Sequence, residues 1–290
     1  MYSANFDYHR ATSLSDAQRL LASNPGAKLL AGGHSLIPLM KLRLAAPSAV
    51  VDIGRIAELR GIARSGDGIR IGALTTHAEI AASADLQKSA AALAEAAALV
   101  GDPAVRSRGT IGGNIAHADP ASDLPTVLVA LDATIVAIGP KGERTIAADG
   151  FFTGIMSTTL ADDEVITAIV VPASAKGAGS AYVKFSHPAS RYAVIGVAAS
   201  VTASGNTCSA ARVALGGLVS HATRAKAVEQ ALVGKGLDTA AIAAAAAQVG
   251  GDLGGDVTGD IFASAEYRSA VAPVYVKRAI AAAAARAGLA

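Results

Sequence analysis

Along residues 5–10 apolar and polar side chains alternate weakly, which predicts a first strand. Behind the polar pair Thr12-Ser13, Leu14, Ala17, Leu20 and Leu21 recur at helical spacing, so a capped helix is expected to end near Asn24-Pro25-Gly26. Residues 27–31 form a short apolar run that reads as a buried strand opening into Gly32-Gly33-His34-Ser35. Over 35–44, Leu36, Met40 and Leu44 stand four apart, and 49–53 returns to strand character. Residues 1–55 therefore read as an α/β unit.

From Ile56 the pattern shortens to strands at 62–63 and 68–71 with Gly turns, which starts a second α/β subdomain over 56–176. Thr76 is placed to cap a helix at 77–83, and 85–100 reads as a longer Ala- and Leu-rich helix that stops at Gly101. Residues 105–109 lead straight into a second glycine pair, Thr110-Ile111-Gly112-Gly113-Asn114. The runs 128–138 and 165–171 are β-rich, and the small, Gly-rich 174–179 is the linker candidate. Strands at 181–185, 194–202 and 210–216 then predict a three-stranded meander. Helices at 222–233, 239–249 and 263–286 complete a third, α+β lobe over 177–290.

Composition fits this picture: 290 residues, 52% of them hydrophobic, suffice for two or three lobes with a full core. No apolar run reaches bilayer length, since Asp132 interrupts 126–138. Residues 1–10 lack an apolar leader core, so a cytoplasmic location is expected. The net charge of +2 is spread without basic clusters or interleaved aromatics, and nucleic acid is not expected as a partner. Cys208 is the only cysteine, which excludes an internal disulfide and a cysteine-ligated iron–sulfur cluster within the chain.

The candidate chemistry gathers at the two glycine pairs. Adjacent glycines permit a tight turn with positive φ and leave successive N–H groups unshielded, so each pair reads as an anion cradle. Two separated cradles suggest a long diphosphate ligand held from both sides. Neither fits GxGxxG after a strand or GxxxxGK[ST]. His34 reads equally as a polar turn residue or as a direct contact to a ligand phosphate or ring. His117 and Asp119 follow the second pair, but without HxH or HxxxH spacing no metal site is expected. Asp123, two residues before Pro125, either caps a helix or accepts hydrogen bonds from ligand hydroxyls. Lys184 lies on an alternating strand, either solvated or beside a ring framed by Tyr182 and Phe185. Ser186, His187 and Asp260 form no recognisable nucleophile triad, there is no GxSxG, and no catalytic residue is assigned.

Four segments occur in order: AGGHSLIP at 31–38, RGTIGGN at 108–114, ADPASDLP at 118–125, and Phe151-Phe152-x-Gly154 before Leu160. With them the chain resembles, over nearly its whole length, the FAD-binding subunit of molybdenum hydroxylases of the xanthine dehydrogenase and carbon monoxide dehydrogenase type. The resemblance implies an α+β fold: two α/β subdomains of the FAD-binding type shared with vanillyl-alcohol oxidase, plus a C-terminal three-stranded sheet with helices. It implies non-covalent FAD, its diphosphate held by Lys28, Leu29, Leu30, Ala31, Gly32, Gly33, His34 and Ser35 on one side. On the other side stand Thr110, Ile111, Gly112, Gly113 and Asn114. Val100, Asp123, Leu160 and Lys184 match further FAD contacts, and Tyr192 matches a tyrosine near the flavin ring.

The resemblance also implies partners: a small subunit with two [2Fe–2S] clusters and a large subunit carrying the molybdopterin cofactor, as a dimer of heterotrimers. Substrate is oxidised at molybdenum, and electrons reach FAD through the clusters before leaving to an external acceptor. The run 118–123 departs from the Gly-Asp-Pro-Gly-Asn-Asp type of the carbon monoxide enzymes, so heteroaromatic, purine and aldehyde substrates stay open beside carbon monoxide. Two other readings remain: a self-contained oxidase of the same fold, and an adenine-nucleotide-binding regulatory module. A flavin spectrum removes the module, and turnover by the chain alone would favour the oxidase.

Overall fold

The computed structural model describes residues 2–66, 68–255 and 257–288. Its first sheet has Ala49–Asp52 in the middle, parallel to Asp7–Arg10 on one side and Lys28–Leu30 on the other. Parallel neighbours need crossover connections, and the helices Leu14–Ser23 and Leu36–Lys41 supply them. Ser13 caps the first helix by accepting the Asp16 N–H at 3.1 Å, and Ala17, Leu20 and Leu21 bury against Val51 and Ile53.

The second sheet is antiparallel and five-stranded, in the order Ile62–Ser65, Gly68–Gly72, Val165–Pro172, Thr134–Gly139, Gly142–Ala147. Between its second and third strands in sequence the chain forms six helices: His77–Ala82, Ala84–Ser89, Ala91–Leu99, Pro103–Arg106, Ile111–His117 and Asp123–Ala130. Leu93, Ile111, Ile115, Leu124 and Leu128 from these helices share one core with Ile71, Ile135 and Ile169 of the sheet.

Two expectations change here, and one unannounced element is added. The 128–138 run divides into the end of helix Asp123–Ala130 and the strand Thr134–Gly139, with Asp132 at φ +54° between them. Every residue of that helix is buried, so its apolar run carries no helical period to distinguish it from a strand. The expected helix over 85–100 breaks at Ala90 (φ −145°, ψ 52°), and the Ala92 N–H reaches Ser180 Oγ at 3.3 Å in the C-terminal unit. The hairpin Phe152–Gly154 with Ser157–Thr158 has no alternating pattern to announce it.

The C-terminal sheet is an antiparallel meander of Ala178–Ser186, Ala193–Ser204 and Thr207–Gly216, to which the two-residue strand Thr223–Arg224 adds an edge. That pairing delays the helix expected at 222 until Lys226–Leu232. The linker is shorter than 174–179, because Ala178 and Gly179 already pair with Thr202 and Val201. Helix Ala265–Arg286 packs against the meander through Ala272, Val276, Ala279 and Ile280. At its start the buried Arg268 guanidinium donates to Ala263 O (3.1 Å), Val194 O (3.3 Å), Gly217 O (2.7 Å) and Asp260 (2.5 Å).

Contacts from Tyr182 N–H to Glu95 (3.1 Å), Arg286 to Glu95, and Gly217 N–H to Pro120 O (2.8 Å) fasten this unit to the second one. Among the described residues no helix is long and apolar enough to cross a membrane.

Candidate cofactor site

The strand Lys28–Leu30 ends in the first glycine turn, and sterics explain both glycines. Gly33 sits at φ +77°, a left-handed conformation that a Cβ penalises. Gly32 faces the loop before the second glycine pair, where a Cβ would lie 2.1 Å from Arg108 O. Among the described residues, the N–H groups of Gly32, Gly33, His34 and Ser35 find no acceptor in the chain. Four unengaged donors on consecutive, part-exposed residues are open to an anionic ligand, which such a run of N–H groups suits. Beside them opens a cleft of ≈ 490 Å³ lined by Gly32, Gly33, Ile37, Lys41, Leu42 and Arg108.

The second glycine pair is not a turn, which corrects the reading of two like cradles. Thr110 caps helix Ile111–His117, its Oγ1 accepting the Gly113 N–H at 3.3 Å, and neither Gly112 nor Gly113 has positive φ. The Ile111, Gly112 and Asn114 N–H groups bond Thr75 O (3.0 Å), Ala73 O (2.8 Å) and Thr110 O (3.0 Å). This segment therefore presents a packed helix start rather than free donors. Gly112 serves close approach, since a Cβ there would lie 2.6 Å from that of Ala73, whereas one on Gly113 would meet Thr110 Oγ1 at 3.0 Å and the Ala31 Cβ at an ordinary 3.8 Å. Thr110 itself was the legible signal, since threonine is a preferred N-cap.

Away from the cleft the trail continues through side chains. Ser122 Oγ lies 2.9 Å from Asn114 Oδ1 and so links the second glycine segment to Asp123. The Asp123 carboxylate is buried, and it does not cap its helix. It accepts the Tyr182 hydroxyl at 2.5 Å and the Lys184 ammonium at 2.8 Å. Lys184 is not the solvated strand lysine one reading expects: its side chain is 1% exposed, and Nζ also lies 3.4 Å from Leu99 O, next to Val100. Tyr182 is the residue that sequence reasoning undervalued. Phe185, expected beside a ring with it, instead packs with Tyr275 (5.9 Å) and Phe262 (6.0 Å) in the C-terminal unit.

Burial pushes the Asp123 carboxyl up, opposed by the Lys184 charge and the bonds it accepts. Burial, reinforced by the Asp123 charge, raises the Tyr182 phenol far above its usual range.

Tyr192 follows Arg191 at φ +60° and is held by the Ala193 N–H to Ala121 O bond (3.1 Å). It is 45% exposed, and burial with the charges of Asp119 and Asp123 raises its phenol. Leu160 is half-buried against the central core, and Lys28 pairs with exposed Asp162 at 3.8 Å. Ile111, 0% exposed, is a core side chain. Among the described residues no three His, Cys, Asp or Glu side chains are grouped to hold a metal ion.

His77 is a second undervalued residue. It opens the helix after Thr76, its ring lies where a Cβ on Gly109 would come within 2.9 Å of Nε2, and its Nδ1 is buried without a partner. Burial, with the nearby His34 charge, lowers its pKa from 6.5 to about 4. Between these values the unfolded chain binds a proton that the folded chain refuses. The contribution is therefore whole above pH 6.5 and is lost as pH falls to about 4. The span corresponds to about 3 kcal/mol. In His77→Gln, urea unfolding should show the stability gap to wild type narrowing by that amount across the window. A gap independent of pH would refute the assignment.

Comparison with known proteins follows the same division of the chain. Residues 4–174 match the family described as the FAD binding domain in molybdopterin dehydrogenase, and residues 180–283 match the CO dehydrogenase flavoprotein C-terminal domain. The chain is 43% identical to the carbon monoxide dehydrogenase medium chain of Hydrogenophaga pseudoflava, with 99% of each covered. It is 39% identical to the 6-hydroxypseudooxynicotine dehydrogenase complex subunit alpha of Paenarthrobacter nicotinovorans, over 96% of this chain and 94% of that one. The structure of quinoline 2-oxidoreductase from Pseudomonas putida 86 superposes with a TM-score of 0.92 at 33% identity, covering 99% of both chains. On these matches and this fold, the chain belongs to the FAD-binding subunits of the molybdenum hydroxylases, a family of oxidoreductase components.

Proposed function

We propose that this chain is the flavin-bearing electron relay of a molybdenum hydroxylase, working beside a small iron–sulfur subunit and a large molybdenum subunit in a dimer of heterotrimers. The observation that carries the cofactor is the run of four unengaged N–H donors from Gly32 to Ser35, beside a cleft with two cations. Lys28, Leu29, Leu30 and Ala31 deliver that turn. Thr110, Ile111, Gly112, Gly113 and Asn114 form the packed wall facing it. We assign Val100, Asp123, Leu160, Lys184 and Tyr192 to the far end of the flavin. FAD supplies two-electron and one-electron chemistry between a partner's clusters and an external acceptor. This chain's own residues bind and orient it and contribute no catalytic group to substrate oxidation.

A role downstream of substrate chemistry is supported by the relatives. Their names span carbon monoxide, 6-hydroxypseudooxynicotine and quinoline, yet this subunit keeps 33–43% identity to them across nearly its whole length. We assign residues 1–55 and 56–176 to the two halves of the FAD-binding unit and 177–290 to the C-terminal domain. A cytoplasmic setting agrees with a lone, free, buried thiol at Cys208.

The flavin is held non-covalently: His34 is exposed, and the donor array and cleft make a tether unnecessary. Purified protein should be yellow, and acid precipitation should release the colour to the supernatant. Gly113→Val, whose side chain would crowd Thr110 Oγ1 at 3.0 Å and reach toward Ala31, should fold but retain little flavin. A colourless wild type would remove the flavin reading, and colour left on the denatured pellet would show a covalent link.

A further inference from the structure

Behind the packed wall at 110–114 stands a buried side chain to which the flavin reading gives no role. His77 is 3% exposed, and its Nδ1 is buried without a partner. The backbone beneath the ring is tied to the wall: His77 N–H donates to Gly109 O (3.0 Å), Ile111 N–H to Thr75 O (3.0 Å) and Gly112 N–H to Ala73 O (2.8 Å). Thr76 and Glu79 close a capping box at the same point, so the place from which the ring projects is fixed. The ring then meets Gly109. A Cβ on Gly109 would lie 2.8 Å from His77 Cδ2 and 2.9 Å from Nε2, so the ring fills the place a side chain would take. Gly109 has no positive φ, and it is a glycine for space rather than for conformation. The same short segment meets the first glycine turn, where a Cβ on Gly32 would lie 2.1 Å from Arg108 O and 3.0 Å from the Gly109 Cα. His77, Gly109 and Gly32 are thus in successive contact.

We propose that His77 is a positioning residue of the flavin site: its ring is the spacer that sets how closely the 108–110 segment approaches the first glycine turn. The assignment rests on the flavin reading above. His77 acts through Gly109 and touches no ligand itself. Close-packed interiors pass a change of volume on to their neighbours. A gap in place of the ring, or an added methyl beside it, therefore moves the wall relative to the four N–H donors at 32–35, and the two sides no longer fit one ligand at once. The ring can serve as a spacer because it is uncharged at neutral pH: burial, with the charge of His34 in the same turn, lowers its pKa from 6.5 to about 4. An unpartnered Nδ1 agrees with a side chain kept for its shape rather than for a hydrogen bond.

The test uses the full chain freed of flavin by dialysis against potassium bromide, with FAD binding read from flavin fluorescence at a temperature where circular dichroism shows the variants folded. Gly109→Ala, whose methyl enters the place of the ring, should weaken FAD about tenfold, and His77→Ala, which leaves a gap there, about as much. Combining His77→Ala with Gly109→Ala puts the methyl into the gap, and affinity should return to within about threefold of wild type. His77→Gln, uncharged and close in volume, should stay within the same margin. In the wild type, the His77 ring proton signals, identified by their loss in His77→Gln, should shift when FAD is added. A histidine that serves only the fold would show no such shift. Wild-type affinity in both single variants would overturn the assignment and leave the flavin reading intact, as would a double variant no better than the weaker single one. A His77 signal that FAD does not move would overturn it too, and so would His77→Gln as weak as His77→Ala, since volume would then not be what counts. If Gly109→Ala does not fold, His77→Ala, His77→Gln and the ring signal decide alone. Failure of the wild type to bind FAD would remove the flavin reading itself, and this assignment with it.

Discussion

Lys184→Met should destabilise the protein by about 3–5 kcal/mol, the usual cost of stripping one partner from a buried ion pair. The ammonium and the Asp123 carboxylate are 1% and 5% exposed at their side chains and 2.8 Å apart, so solvent screens them little. Without the lysine, the carboxylate keeps only the Tyr182 hydroxyl at 2.5 Å and must either stay ionised in an apolar setting or take up a proton. The helix Asp123–Ala130, the strand Ala178–Ser186 and the end of helix Ala91–Leu99 all meet at this point, so the loss would loosen the seam between the second and third units.

Urea unfolding gives the size of the effect, and flavin content of the purified variant gives its reach into the site. The pair Asp123→Asn with Lys184→Met should cost clearly less than the sum of the two single changes, a coupling of about 2 kcal/mol or more, because it leaves no unpaired charge. Strict additivity would mean that the two groups do not depend on each other, and the buried pair would lose its role.

The physical reasons for what was and was not legible differ from element to element. Helix Leu14–Ser23 has a polar cap and one apolar stripe, so its period and its start both stand in the sequence. The three strands of the meander 178–216 are legible as apolar runs separated by turn formers, but their register, with shifts between Phe185 and Ser186 and between Thr202 and Ala203, is set by tertiary pairing. By contrast, helix Asp123–Ala130 is buried on all sides, so it shows no stripe, and its apolar run passes for a strand. The first glycine turn was legible because a strand runs into it and Gly33 needs positive φ. The second was misread because two adjacent glycines suit a tight helix contact as well as a turn. Only the tertiary neighbour Ala73 decides between them. Lys184 and Tyr182 lie two residues apart on one strand face, which places them together. That both aim at Asp123, some sixty residues away, is set by the packing of three units and by no local pattern.

The purified chain should bind FAD yet oxidise neither carbon monoxide nor any organic substrate, and substrate-dependent flavin reduction should appear only when iron–sulfur and molybdenum subunits are added. With a single, buried cysteine the chain cannot ligate an iron–sulfur cluster. Among the described residues no group of side chains is placed to hold a metal. The polar residues that line the proposed flavin path are engaged in structure: Asp123 by Lys184 and Tyr182, Asn114 by Ser122. The carboxylate among them, Asp123, is thus held by its partners rather than free to act as the acid or base of a self-contained oxidase. On the proposed relay, electrons reach this chain across a protein interface. A stable interface of that kind buries about 1,200 Å² or more, so the subunits should co-purify. The expected change is from no detectable turnover by the single chain to the full rate of the assembled complex, with a chemical reductant or dye still able to cycle the flavin of the isolated chain. Substrate turnover by the isolated chain at the rate of the complex would replace the relay with the self-contained oxidase.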